Sequence, residues 1–280
     1  MKIKILSDST CDLSADLLAQ YDITLAPLTV VRGGEQYKDG VTITSQDIFA
    51  HVAAGGDLCS TAAVSIGEYA DLFERYSSEY DGIIHINIGA GFSACHQNAR
   101  LAAEDFPNVR CIDSGTLSTG QGLIVLQACR LAASAESLDQ LVSQIESYTS
   151  KVEASFIVER LDYLVKGGRC SSAAALGANL LNLKPCIEVK DSKMFVTKKY
   201  RGNFTKCLTT YVRERLTDRE DLDPDTIFIT GTVKDEQILQ PVRDEIAGCF
   251  SFRNVFETNV GCTVACHCGP GTLGIFFLRK

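Results

Sequence analysis

The sequence predicts an α/β protein of two domains, with an N-terminal parallel sheet covered by helices on both faces and a C-terminal mixed α+β domain. Over the first 150 residues, strand-like apolar runs alternate with helical patterns, which is the order of a parallel sheet with crossover helices. The isoleucine-rich run at 83–88 is typical of a strand buried on both faces. Beyond residue 150, hairpin patterns mix with helices. We therefore predict domains at 1–150 and 151–280.

Apolar runs and helical periodicity place the elements of the N-terminal domain. Strands are predicted at 3–7, 25–31, 83–88 and 109–113, and helices at 14–21, 44–52, 65–80, 94–103, 118–133 and 137–150. Gly33-Gly34 predicts a hairpin turn. Ser65-x-x-Glu68 and Ser137-x-x-Gln140 have the spacing of capping boxes. Residues 57–64, which include Thr61, are expected to form a polar loop.

The same patterns place the elements of the C-terminal domain. Strands are predicted at 154–158, 227–230, near Val255 and at 272–278, and helices at 161–165, 171–181, 204–215 and 235–247. The runs 186–189 and 194–199, separated by Asp191-Ser192, predict an antiparallel hairpin.

Two segments of the N-terminal domain have polar side chains at the end of a predicted strand. In α/β folds, ligands bind at the carboxyl ends of strands, so Asp8 to Asp12 are candidates for ligand contact. The alternative is that Asp8 and Asp12 only cap the helix that follows.

The second such segment is the turn after the strand at 83–88. Gly89 and Gly91 allow a sharp turn whose backbone approaches whatever is bound there, and Ser93 is placed to cap the next helix, beside Ala94. Free N–H groups and the positive end of a helix dipole favour an anion. Ser93 is therefore predicted to contact an anionic ligand, with simple capping as the alternative, and Thr61 is a candidate second hydroxyl donor.

Composition excludes several classes of protein. Lys and Arg total 27 and Asp and Glu total 35, and the net charge of −8 argues against nucleic-acid binding and against anionic membranes. No apolar run approaches the roughly 20 residues of a membrane span, and the N-terminus does not look like a signal peptide, so we expect a cytoplasmic protein without stable membrane insertion. Most of the twelve cysteines lie in apolar segments, where we expect reduced thiols acting as small hydrophobic residues.

Several short motifs occur in a fixed order along the whole chain. They are Asp8-Ser9-Thr10-Cys11-Asp12-Leu13, Gly91-Phe92-Ser93, Ile112-Asp113-Ser114, Leu161-x-x-Leu164 followed by Gly167-Gly168-Arg169, then Arg201, and His267-Cys268-Gly269-Pro270-Gly271. With these motifs in this order, the chain resembles the DegV family of bacterial fatty-acid-binding proteins over essentially its full length.

The resemblance implies a carrier rather than an enzyme, with one long-chain fatty acid, such as palmitate, stearate or oleate, in a tunnel between the two domains. It implies that a separate ATP-dependent fatty acid kinase phosphorylates the bound acid to an acyl phosphate for phospholipid synthesis. The carboxylate contacts of the family match Thr61, Ser93 and His267, and its kinase-docking arginines match Arg169 and Arg201. No cofactor, metal or catalytic residue is implied.

The chain departs from the family pattern at two places near these residues. Thr61-Ala62-Ala63-Val64-Ser65 stands where the family often has Thr-Ser-Gln-Pro-Ser, so that only the ends of the motif are kept. Ala94-Cys95 follows Ser93 where Gly-Thr is usual.

Two enzymatic alternatives remain. A cysteine- or metal-dependent enzyme would use Cys262, Cys266, His267 and Cys268, although Cys-His-Cys at adjacent positions is poor geometry for a tetrahedral metal site. A serine hydrolase would use Ser93 and His267, but no G-x-S-x-G motif surrounds Ser93 and no acid partner can be assigned.

Overall fold

The computed structural model describes residues 1–175 and 183–280, and it shows an α/β protein built on three sheets. The strands are β1 (Ile3–Asp8), β2 (Thr24–Ala26), β3 (Thr29–Arg32), β4 (Glu35–Lys38), β5 (Ser60–Ala62), β6 (Gly82–Asn87), β7 (Val109–Asp113), β8 (Val152–Val158), β9 (Leu183–Lys190), β10 (Lys193–Arg201), β11 (Leu222–Gly231), β12 (Asn254–Asn259) and β13 (Thr272–Arg279). The helices are α1 (Ala15–Gln20), α2 (Ser45–Ala53), α3 (Ile66–Ser77), α4 (Cys95–Ala103), α5 (Thr119–Ala132), α6 (Leu138–Thr149), α7 (Asp162–Gly167), α8 (Ser171–Ala174), α9 (Phe204–Leu216), α10 (Glu236–Cys249) and α11 (Cys262–Cys268). The helix predicted at 171–181 begins as α8, and its remainder from residue 176 lies outside the described residues.

The first sheet is parallel throughout, in the order β2-β1-β6-β7. Side chains alternate between the two faces of a strand, and β6 shows what covers each face. His85 packs against Tyr69 of α3, whereas a side chain on Gly82, an odd number of residues away, would collide with Leu138 of α6. Helices therefore cover both faces, as predicted, and β6 is buried along its whole length.

The second sheet has the order β10-β9-β8-β13-β11-β12 and is antiparallel except for the pair β11 and β12. Ile227 and Ile229 of β11 pack into a cluster with Leu208 of α9 and Val242 of α10. Phe228, between them, belongs to the larger core on the opposite face. This mixed sheet confirms the α+β prediction for the second half of the chain.

Helix α5 lies between the two large sheets. It packs against β1 and β6 on one side and against β8 and β13 on the other, and nine of its fourteen residues are buried. The layers therefore run from the pair α3 and α4 through the parallel sheet, α5, and the mixed sheet to the pair α9 and α10. One core cluster contains both Ile84 of β6 and Phe156 of β8. The domain boundary near residue 151, which falls between α6 and β8, stays a prediction.

A small third sheet, in the order β4-β3-β5, was not predicted. The strand expected at 25–31 is in fact two strands, because Pro27 and Leu28 separate β2 in the parallel sheet from β3 in the antiparallel one. Proline has no N–H to donate to a strand ladder, which explains the break. The loop expected around Thr61 contains β5, whose three residues are too few to show a periodic pattern.

Local capping follows the predicted motifs in part. Ser65 and Glu68 form the complete capping box at the start of α3, and Ser137 accepts a bond from the Gln140 amide without the reciprocal contact. Asp8 makes no capping bond, so the interpretation of Asp8 and Asp12 as caps of α1 is wrong; Ser14 is the cap. Among the described helices, none is long and apolar enough to cross a bilayer.

Candidate functional site

A cavity with a mostly apolar wall lies between the two large sheets. Counting the open space at its mouth, it spans about 780 Å³. Its wall takes residues from both halves of the chain: Leu28, Ile88, Leu117, Phe156, Leu164, Met194, Val260 and Phe276 are apolar, and Thr61, Ser93, Ser118, Thr230, Thr263, His267 and Arg169 are polar. A long apolar molecule with one polar end fits this composition.

The structure brings Thr61 and His267 together at the cavity wall. The Thr61 Oγ1 and His267 Nε2 atoms are 2.9 Å apart, although 206 residues separate them in the sequence. Thr61 lies at the middle of β5, and His267 lies in the last turn of α11. Together they offer a hydroxyl and an imidazole to a ligand in the cavity.

Helix α11 was missed by the sequence analysis because its start is fixed by distant residues. The N-cap residue, Gly261, has no side chain that could cap the helix. The helix itself, Cys262–Cys268, is too short to show a clear periodic pattern. Asp39 accepts bonds from the Cys262 and Thr263 amides at 2.7 and 3.1 Å, and Asp12 accepts one from the Gly261 amide at 2.8 Å. Two Asp side chains far away in sequence thus supply the cap that places His267.

His267 is an uncharged imidazole at neutral pH. Burial, with a smaller effect from the positive charge of Arg169, lowers its pKa to about 4. The Nδ1 atom is buried and has no hydrogen-bond partner within residues 1–175 and 183–280, and a side chain on Gly167 would come within 2.4 Å of it. The close approach of Gly167 therefore fixes the ring, and Nε2 is the nitrogen that Thr61 contacts.

Ser93 lies on the same cavity wall. It precedes the N-cap residue of the following helix by one position. Ala94 is the N-cap residue of α4, so the interpretation of Ser93 as the N-cap is wrong. Ser93 Oγ nonetheless accepts a bond from the Cys95 amide at 3.3 Å and lies 3.1 Å from Cys95 Sγ. Ser93, Thr61 and His267 therefore line one cavity, as the resemblance implies.

The two glycines of the turn before Ser93 are required by a neighbouring turn. A side chain on Gly91 would come within 2.2 Å of the Ser192 carbonyl oxygen, and one on Gly89 within 2.7 Å of the Ser192 hydroxyl. Ser192 lies in the turn between β9 and β10, and its amide donates to the Gly115 carbonyl at 3.0 Å. The side of each glycine where a Cβ would lie is therefore filled by the protein's own hairpin, and contact between the backbone of this turn and a ligand stays a prediction.

The two predicted docking arginines occupy different places. Arg169 lines the cavity and donates from Nη1 to the Gly167 carbonyl at 2.7 Å, with its Nε 3.5 Å from the Phe92 carbonyl. Arg201 is exposed at the end of β10, an edge strand of the mixed sheet, and does not line the cavity.

The cysteines near His267 are buried thiols. Cys262 and Cys266 pack with Val30, Ile43 and Ile48, and burial raises the pKa of Cys262 to about 12 and that of Cys266 further. A nucleophile or metal ligand requires a thiolate, which this setting disfavours. Within residues 1–175 and 183–280, no cluster of three or more His, Cys, Asp or Glu side chains is arranged to hold a metal ion.

A buried polar cluster beneath Ser93 was also missed. Asp8, at the end of β1, accepts bonds from Tyr69 Oη at 2.6 Å, His85 Nε2 at 2.9 Å, Asn87 Nδ2 at 3.2 Å and the Ile88 amide at 2.9 Å. Asp8, His85 and Asn87 are fully buried, as is Tyr69. Polar residues within the apolar strand at 83–88 were the available signal, since a buried histidine and asparagine need partners.

Comparison with known proteins agrees with this architecture. The family model described as "Uncharacterised protein, DegV family" matches residues 2–280. A DegV domain-containing protein of Clostridium acetobutylicum is 33% identical over 282 residues, covering 100% of this chain and 99% of that protein.

Solved structures of similar fold include proteins described as binding fatty acids. A DegV family protein from Thermus thermophilus, described as fatty-acid-binding, has a TM-score of 0.89 and 28% identity, with 100% of both chains covered. A stearic acid-binding protein from Eubacterium ventriosum has a TM-score of 0.83 and 26% identity, covering 99% of this chain and 98% of that one. With the full-length family match, these similarities establish that the chain belongs to the DegV family.

Proposed function

We propose that the cavity binds a single long-chain fatty acid, with its carboxylate at Thr61, Ser93 and His267 and its tail between the two halves of the chain. The observation that carries the proposal is the Thr61–His267 pair, 2.9 Å apart, on the same apolar cavity wall as Ser93. Proteins of similar structure that are described as fatty-acid-binding support the choice of ligand.

The physical chemistry of such a ligand suits the wall. Burial of methylene groups contributes about 0.8 kcal/mol each, so a chain of ~15 of them gains on the order of 12 kcal/mol before the cost of ordering it. A buried carboxylate must be hydrogen-bonded, and each bond to a charged group contributes roughly 1.5–3 kcal/mol. The tail therefore sets the affinity, and the three polar side chains set the orientation.

The binding proposal is tested by denaturing purified protein and identifying released lipid by mass spectrometry, then measuring uptake of a labelled fatty acid by lipid-free protein. Thr61→Val removes the hydroxyl at nearly constant volume and should weaken binding about tenfold or more. Thr197→Val, at an exposed position of β10, is the matched control and should bind as the unchanged protein does. Protein that neither carries nor takes up a fatty acid would refute the proposal.

We further propose that the protein acts in the cytoplasm and presents the bound carboxylate to a separate ATP-dependent fatty acid kinase, which forms an acyl phosphate for phospholipid synthesis. Phosphoryl transfer depends mainly on positioning and on stabilising charge, and a fixed carboxylate beside a cation meets both needs. Arg169 lies on the cavity wall beside the polar group, and Arg201 lies on an exposed sheet edge. We assign kinase docking to both arginines.

The kinase proposal is tested by combining the loaded protein with a bacterial fatty acid kinase and ATP, and trapping acyl phosphate with hydroxylamine. Arg201→Ala should reduce the product and weaken the complex while leaving fatty-acid binding unchanged. Arg253→Ala, beside β12 at the opposite edge of the same sheet, is the matched control. If Arg201→Ala formed as much acyl phosphate as the unchanged protein and Arg253→Ala formed less, the assignment of kinase docking to Arg201 would be wrong.

A cysteine- or metal-dependent enzyme is less well supported, because His267 bonds Thr61 and the neighbouring thiols have raised pKa values. A stoichiometric metal found by elemental analysis of the purified protein would reverse this ranking. A serine hydrolase is disfavoured because the hydrogen bond of His267 is to Thr61, whereas Ser93 contacts Cys95. We expect no cofactor other than the fatty acid.

A further inference from the structure

Six of the described side chains that line the cavity carry a hydroxyl group, and five of these hydroxyls are hydrogen-bonded within the protein. Their partners are His267 for Thr61, Cys95 for Ser93, Asp12 for Ser118, Thr119 for Thr230 and the Cys268 carbonyl for Thr272. The sixth hydroxyl belongs to Thr263, which is only 5% exposed. Within residues 1–175 and 183–280, its Oγ1 atom has no hydrogen-bond partner.

A buried hydroxyl without a partner has a cost that a ligand can remove. Such a group has given up its hydrogen bonds to water, and for this reason nearly all buried hydroxyls in proteins are paired. The methylene groups of a fatty-acid tail offer it nothing in return. A bound water would need about two to four polar partners, whereas the other hydroxyls of the wall are already hydrogen-bonded. Thr263 therefore indicates a ligand that carries a polar group on its chain.

The position of Thr263 places it beside the tail of the ligand rather than beside the carboxylate. Thr263 and His267 are four residues apart in α11, so they lie on the same face of that helix, and both line the cavity. One helical turn advances about 6 Å, which separates Thr263 from the proposed carboxylate site. The Oγ1 atom is covered, but threonine has two accessible χ1 rotamers in a helix, and rotation exchanges the hydroxyl with the methyl group.

We propose that Thr263 binds a hydroxyl group on the chain of the ligand, and that the cavity accepts hydroxy fatty acids as a substrate class. A hydroxyl both donates and accepts, so the pair forms whichever of the two oxygens carries the donated proton. The inference rests on the proposed function, because the carboxylate at Thr61, Ser93 and His267 orients the ligand. It adds a second polar contact about one helical turn along the tail.

The test measures the binding of stearate and of hydroxystearate positional isomers to Thr263→Val, Thr116→Val and unchanged protein. Valine has nearly the shape of threonine and lacks the hydroxyl. Thr116 is the matched control, because it is also buried, its hydroxyl also has no partner in the described part of the chain, and it does not line the cavity. The preference for the best-bound hydroxystearate over stearate should fall about threefold to tenfold in Thr263→Val, as expected for one hydrogen bond, and stay constant in Thr116→Val.

The outcomes distinguish this inference from the proposed function. If all three proteins bind stearate and show the same preference, the hydroxyl of Thr263 does not contact the ligand and the inference is overturned, while fatty-acid binding stands. An equal loss of preference in Thr116→Val would overturn it as well, because the effect would not come from the cavity wall. If Thr263→Val does not fold, Thr263→Ala carries the same expectation. Unchanged protein that binds neither stearate nor any hydroxystearate would instead refute the proposed function.

Discussion

At the scale of single residues, the three side chains proposed to contact the carboxylate are uncharged at neutral pH. His267 is the clearest case, because burial lowers its pKa to about 4 and its Nε2 atom is hydrogen-bonded to Thr61. Three neutral donors beside a cation, Arg169, suit a carboxylate that must enter and leave. A permanently charged residue in place of His267 would already need a partner in the empty protein.

We predict that an NMR titration of His267 in lipid-free protein shows a pKa well below 6.5, and that Arg169→Gln raises it by removing a nearby positive charge. Since the unfolded chain binds the proton more readily, the contribution of His267 to stability should fall as pH drops from about 6.5 to 4 and be constant above pH 6.5. His267→Gln assigns the resonance and should remove this contribution. A pKa at or above 6.5 in the lipid-free protein would contradict the account.

At the scale of elements, the site residues are positioned by close contacts between segments that are far apart in the sequence. The turn containing Gly89 and Gly91 is held against Ser192 of the β9–β10 turn. We predict that Gly91→Ala destabilises the protein by about 1–3 kcal/mol, the usual cost of overpacking, because the clash is with backbone. Thermal unfolding measures this, and Gly67→Ala is the control, since its side chain meets open space inside α3. Equal stability of the two variants would show that the contact is unimportant.

Helix α11 is held by Asp12, whose pKa burial raises to about 8, with a contribution from Asp39. The folded protein keeps the Asp12 proton while the unfolded chain loses it near pH 4, so the free energy of unfolding should decrease between about pH 4 and 8. The slope of a single proton is at most about 1.4 kcal/mol per pH unit.

The check is chemical denaturation across this pH range in Asp12→Asn, which can still accept from Gly261 and contact Ser118. In this variant, the free energy of unfolding should no longer decrease between about pH 4 and 8. Asp105→Asn, at an exposed position, is the control and should keep it. Identical pH profiles for Asp12→Asn and the unchanged protein would show that Asp12 does not titrate in this range.

The same elements show what the sequence could reveal. Apolar runs and caps are local signals, so β6, the α3 capping box and the alternating order were predicted correctly. Helix α11 and β5 were missed because Asp12, Asp39 and β3 define them from far along the chain. Thr61 and His267 were named from resemblance alone; spacing did not indicate that they would be neighbours.

At the scale of the whole molecule, two sheets share the helix α5, and the cavity opens where both sheets and α11 meet. Phe156 and Phe276 of the mixed sheet face it across from Ile88, just after a strand of the parallel sheet. A ligand held there touches both halves of the chain, so binding stabilises their association as well as each half. The central claim is that a fatty acid fills this space, with its acid group at Thr61.

The most direct measurement is the electron density of crystals grown with a fatty acid brominated at its terminal carbon. We predict continuous density within the cavity, the carboxylate within hydrogen-bonding distance of Thr61, Ser93 and His267, and an anomalous bromine peak among the apolar residues away from Arg169. Bromine beside Thr61, or a cavity closed by the protein's own side chains with the ligand elsewhere, would contradict it.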